Sequence, residues 1–152
     1  MTSQLLSTFT DKMRQPPLSD RRESGANRDL SDPVSVLMLV IDFRLENLWN
    51  GIIFFIGNPT GAYASETVGA LKRIGCDAAA ERLARILTLA ADAGLTHEAL
   101  QQDRDLLDTE IDAIRELETE LNRDCVGIPD AQESYFAKHQ TIFQAALTGK
   151  AS

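Results

Sequence analysis

The chain has 152 residues, 43% hydrophobic and 25% charged, which fits one globular domain large enough to bury a core without metal or disulfide. A net charge of −8 and a pI near 4.7 exclude the basic face that direct nucleic-acid binding needs. The two cysteines, Cys76 and Cys125, lie far apart with no CxxC spacing, which excludes a disulfide framework or a zinc site and leaves buried thiols as the reading.

Residues 1–32 divide in two. Gln4–Met13 suits a short helix with Leu5, Leu6, Phe9 and Met13 inward, and residues 14–32, with Pro16-Pro17 and Gly25, read as a flexible linker. No signal-peptide pattern opens the chain, so a cytoplasmic address is expected.

The second expected unit, 33–149, is built around a hydrophobic central helix over about 34–57. Leu37, Ile41, Leu45, Leu48, Ile52 and Phe55 step along it by three or four, and Val40, Trp49, Ile53 and Ile56 widen the stripe past half of the circumference. Ser31, Asp32 and Pro33 mark its start, and Gly57-Asn58-Pro59-Thr60-Gly61 its stop, with a left-handed glycine at Gly57. Asp42, Arg44 and Glu46 interrupt its apolar runs. Three mid-helix charges at about 2.5–3.5 kcal/mol each argue against a membrane span.

Further helices follow over Tyr63–Ile74, closed by Gly75, and from Asp77 as cap to Gly94. The next starts at Thr96 as cap and runs unbroken to about Asp124, and the last starts at Pro129. No strand-like alternation persists. The expected fold is all-α, a single domain of five or six helices packed around the central one.

Charge is distributed unevenly. Between Thr96 and Asp124 ten acids face only Arg104, Arg115 and Arg123, a net −7, while the rest of the chain nets −1. Asp105, Asp108, Asp112, Glu116 and Glu120 follow steps of three and four, which on one helix share a face. Such a row suits a basic protein partner. It equally suits an amphipathic surface helix with an acidic wet side.

Asn50-Gly51-Ile52-Ile53-Phe54-Phe55-Ile56-Gly57-Asn58-Pro59-Thr60-Gly61-Ala62-Tyr63-Ala64 resembles the motif of the bacterial DNA-mimic protein family, whose C-terminal domain was long catalogued as a domain of unknown function. Ala70-Leu71-Lys72-Arg73-Ile74-Gly75 is similar to that family's helix ending. Trp49, Asn50 and Phe54 stand where the family carries Asn, Gly and Gln. The resemblance implies an all-α, dimeric, acidic protein; its founding member presents carboxylates in place of DNA phosphates to a DNA-binding regulator. On the residues alone, Asn50, Gly51, Phe55, Asn58, Gly61, Leu71, Ile74 and Gly75 also read as packing and turn positions.

Chemistry has little to work with. His97, expected at the surface, and His139, expected half-buried, have no partner at ligand spacing, and no nucleotide loop or nucleophile motif occurs. The expectation is therefore a non-enzymatic acidic interaction protein with no cofactor or metal, a homodimer whose partner is a basic DNA-binding regulator. One alternative is a small-molecule-binding or enzymatic domain with a pocket at Trp49, Asn50, Asn58 and Tyr63. Another is an immunity- or antitoxin-like neutraliser of a basic protein.

Overall fold

A computed structural model describes residues 2–148 of the chain. Among them all regular structure is helical, in agreement with the all-α expectation: α1 (Thr2–Lys12), α2 (Asp20–Ser24), α3 (Pro33–Asn50), α4 (Ile52–Gly57), α5 (Ala64–Arg73), α6 (Asp77–Asp92), α7 (His97–Gln102), α8 (Asp112–Asp124), α9 (Ile128–Lys138) and α10 (Gln140–Leu147). Three helices that the periodicity draws as continuous are interrupted: α3 and α4 part at Gly51, α7 and α8 are separate, and α9 and α10 part at His139. None of the described helices is long and apolar enough to cross a membrane.

Helix α3 is the wall that two cores share. Asp32 caps it by accepting from the Val34 N–H at 2.9 Å, and Pro33 takes the first turn, where its missing N–H is harmless. Every residue from Val34 to Ile41 is buried. Val36, Leu39, Val40 and Phe43 face one core with Ile52, Phe55, Leu71, Leu83, Ile86 and Leu121. Val34, Leu37, Met38 and Ile41 face the other with Phe9, Met13, Leu18, Phe136 and Phe143. Each such side chain contributes roughly 1.5–3 kcal/mol on burial.

The second core draws α1 against α9 and α10 of its own chain. Phe9 meets Phe143 edge-on at 5.2 Å, and Phe136 stacks on Phe143 at 4.6 Å. Between α1 and α3, Leu18 and Asn27 are also buried, and Arg21 pairs with Asp32 and donates to Ser35 at 2.7 Å.

The expected single helix over 34–57 needs correction. Gly51 has φ 88° and ψ 171°, a conformation that side-chain-bearing residues rarely adopt, and it ends α3. The chain restarts as α4, sending Ile52, Phe55 and Ile56 into the first core. Leu48 and Trp49, expected on the buried stripe, are instead 68% and 77% exposed. Gly57, expected left-handed, is the buried last residue of α4. It is glycine for another reason: an added Cβ would lie 2.8 Å from Leu107 and 3.0 Å from Leu100. Asp77 is the first residue of α6 rather than its cap, a place taken by Cys76. Thr96 does cap α7, accepting from Ala99 N–H at 3.1 Å.

Candidate functional site: an acidic surface beside a polar helix junction

The acidic segment is not one long helix, which corrects the rod drawn from its periodicity. Helix α7 ends at Gln102, a 3-10 turn spans Arg104–Asp108, and Thr109 and Ile111 are extended before α8 begins. Asp103 caps the turn by accepting from Asp105 N–H at 3.1 Å. Short acidic residues satisfy backbone groups in turns better than inside helices, and like charges at helical spacing repel. Leu106, Leu107 and Ile111 pack onto the first core along this irregular path.

Asp112, Glu116 and Glu120 share one face of α8, at four-residue steps, whereas Asp105 and Asp108 reach the surface from the preceding turn. All five are exposed. Arg82 from α6 pairs with Glu120 at 2.7 Å and with Asp124 at 3.1 Å. Glu110 meets Arg115 at 3.4 Å. Asp105, Asp108, Asp112 and Glu116 form no ion pair among the described residues.

Glu118, half-buried, lies off this acidic row and turns inward. Its Oε2 accepts from Ile52 N–H at 2.7 Å, capping the start of α4 across the Gly51 break. Hydrogen bonds to a charged group are worth about 1.5–3 kcal/mol, so Glu118→Ala is expected to destabilise by that amount and Glu118→Gln, which keeps an acceptor, by less. Urea unfolding of the two variants compares them.

The motif residues form a junction at the other end of α4. Glu46 accepts from Asn50 at 3.2 Å and from Asn58, whose Oδ1 accepts from Arg104 at 2.9 Å. Arg104 also donates to the Gly57 carbonyl at 2.9 Å, Gln101 donates to the same oxygen, and the Nδ1–H of His97 donates to the Ile56 carbonyl at 2.7 Å. Helix α7 thus satisfies carbonyls that the end of α4 leaves bare. Gly61 lies against the Phe55 and Ile56 backbone, Phe55 meets Phe43 edge-on at 5.2 Å, and Leu71 and Ile74 are buried. Gly75 ends α5 with φ 89°.

His97, expected at the surface, is half-buried and bonded, and the ring of the half-buried His139 lies 4.6 Å from that of Tyr135. The four residues of the alternative pocket do not all converge, although Asn50 and Asn58 both donate to Glu46. Trp49 projects outward, Tyr63 is buried beneath the Arg28 guanidinium at 4.7 Å, and the cavity that takes Asn50 takes none of the other three. No cluster of three or more His, Cys, Asp or Glu among the described residues is placed to hold a metal.

Both thiols are half-buried. Burial, then the neighbouring Asp124 charge, pushes Cys125 up to about 12. Native Cys125 therefore keeps its proton between an unfolded thiol's value near 8.5 and about 12, while the unfolded chain loses it. Over that window its contribution makes stability fall as pH rises. Thiol labelling at pH about 8.5 is expected to be slow for Cys125 in the native protein and fast in denaturant.

Sequence reasoning missed Glu46, Arg82, Arg104 and Glu118 as site-forming residues. Arg82, Arg104 and Glu118 act on partners 42, 46 and 66 positions away, and Glu46 reaches Asn58 across the unforeseen break at Gly51, so no local pattern carries the signal.

A family model described as "DMP19-like protein" matches residues 28–139, well over half of the chain. No curated protein and no solved structure matches it.

Proposed function

Because the chain belongs to the DMP19-like protein family, we propose that it is a non-enzymatic, cytoplasmic acidic protein of the DNA-mimic type, which occupies the basic DNA-binding face of a regulator. The contact surface is Asp105, Asp108, Asp112 and Glu116, with Glu120 at its edge, shared with Arg82. The observation that carries this reading is the concentration of exposed carboxylates, four of them in no ion pair among the described residues, in the segment that nets −7.

Magnitude sets a condition on the mimicry. The 13 residues of α8 hold five acids against Arg115 and Arg123, a net −3. Spread over roughly 20 Å of helix, that is about one charge per 6–7 Å, against about one per 1.7 Å along duplex DNA. A single α8 is too dilute, so the active form is a homodimer that sets two acidic surfaces together. The exposed Trp49, Leu48 and Val126 support this, since large exposed apolar residues favour association, and Leu48 and Val126 line one cavity, Val126 two residues beyond the end of α8.

Capture from an extract of the source organism tests the reading. The wild-type chain should retain a basic protein that duplex DNA then displaces. The variant Asp105→Asn, Asp108→Asn, Asp112→Asn, Glu116→Gln should retain none. A captured protein that duplex DNA fails to release, or that both chains retain equally, would refute mimicry.

A further inference from the structure

A cavity of about 310 Å³ opens between α4 and the turn leading into α8. That is the lower end of the roughly 300–1,000 Å³ of small-molecule sites, a size for one long side chain rather than a whole cofactor. Its walls divide by chemistry: Ile53, Leu107 and Ile111 are apolar, and Asp108, Glu110 and Glu118 supply carboxylates against the single cation Arg115, a net −2. Glu118 spends one oxygen on the Ile52 N–H, and Asp108 has no ion pair among the described residues.

We propose that this cavity receives one arginine side chain of the basic partner, its stem on Ile53, Leu107 and Ile111 and its guanidinium among Asp108, Glu110 and Glu118. The inference rests on the partner-binding reading above and adds the position and chemistry of an anchor. Long cationic side chains lay apolar stems on apolar surface and keep the charge at the polar rim. Several carboxylates around one opening suit the planar fork of arginine better than the point charge of lysine. The chain already sets one guanidinium at this rim: Arg115 reaches Glu110 at 3.4 Å, with both side chains more than 60% exposed. An ion pair that long and that wet is worth little, so an incoming guanidinium displaces it readily.

The test uses the full chain and three blocked amino acids as probes, followed by NMR of the backbone amides. N-acetyl-arginine amide should shift Gly51, Ile52, Thr109 and Glu110 most, the lysine analogue less, and the uncharged norleucine analogue not at all. Glu110→Gln, on the exposed rim, should weaken the arginine probe by about two- to fivefold, the scale of one exposed ion pair. Equal shifts from arginine and norleucine, or no shifts near Gly51 and Thr109, overturn the anchor. Shifts confined to the outer face of α8 around Asp112 and Glu116 also overturn it while leaving the acidic-surface reading in place. Loss of DNA-displaceable capture would remove that reading instead.

Discussion

Gly61→Ala is expected to unfold the protein or to lower its stability by about 4 kcal/mol or more, the range reserved for severe steric or core damage. The cause is not a left-handed backbone, since Gly61 has no positive φ. A Cβ at this position would sit 1.9 Å from the Ile56 carbonyl oxygen and 2.4 Å from the Phe55 carbonyl oxygen. Those are backbone atoms at the end of α4, and Phe55 and Ile56 are themselves held in the first core. They have nowhere to move without pulling α4 from α7, whose His97 and Gln101 bind the same turn, as does Arg104 just beyond α7. Gly75→Ala is the informative contrast. It meets nothing within 4 Å but has φ 89°, so its cost is only the left-handed penalty of roughly 1–2 kcal/mol. Urea unfolding followed by far-UV circular dichroism compares the two. Equal midpoints for Gly61→Ala and wild type would mean that the turn is not packed this tightly.

Phe9→Ala is expected to cost about 3–5 kcal/mol, as large aromatic deletions in a close-packed core do. Phe9 is fully buried and contacts both Phe136 and Phe143 edge-on. It is thus the residue by which α1 closes the second core over α9 and α10. If α1 were instead a detachable arm, Phe9→Ala would leave the unfolding midpoint of the remaining chain unchanged. Thermal unfolding monitored by the single tryptophan, Trp49, together with circular dichroism decides between these outcomes.

These expectations fall where sequence and fold part company. Local signals were legible. Asp32, Pro33 and Thr96 mark helix starts, and Gly75 and Gly94, both with positive φ, mark ends, because caps depend on a few adjacent residues. The all-α class and the nearly all-round burial of residues 34–41 were legible from periodicity. The breaks within long helical patterns were not. Gly51 ends α3 where the hydrophobic rhythm continues, and its conformation is stabilised by Glu118 from a distant helix. The acidic segment keeps helical spacing through Asp105 and Asp108, yet Leu106, Leu107 and Ile111 pack onto the core from a 3-10 turn and an extended stretch. Charge counting located the acidic segment correctly by position but could not show that Arg82 neutralises Glu120 while leaving Asp112 and Glu116 bare.

The motif around Asn50, Asn58 and Gly61 teaches a related lesson. Its polar residues converge on Glu46 and Arg104 and on the carbonyls at the end of α4. Their work in this molecule is to fix α7 to α4, and the turn that follows α7 carries Asp105 and Asp108. The hydrogen bonds of Asn58 and of the carbonyls at the end of α4 therefore hold in place the segment that carries Asp105 and Asp108.

Titration calorimetry of the captured basic protein against the wild-type chain and against the Asp105→Asn, Asp108→Asn, Asp112→Asn, Glu116→Gln variant is the most direct test of the acidic surface. Four exposed contacts at roughly 0.7 kcal/mol each correspond to about a 100-fold loss of affinity, and added salt should narrow that gap. An affinity that stays within about twofold of wild type at every salt concentration would contradict the account.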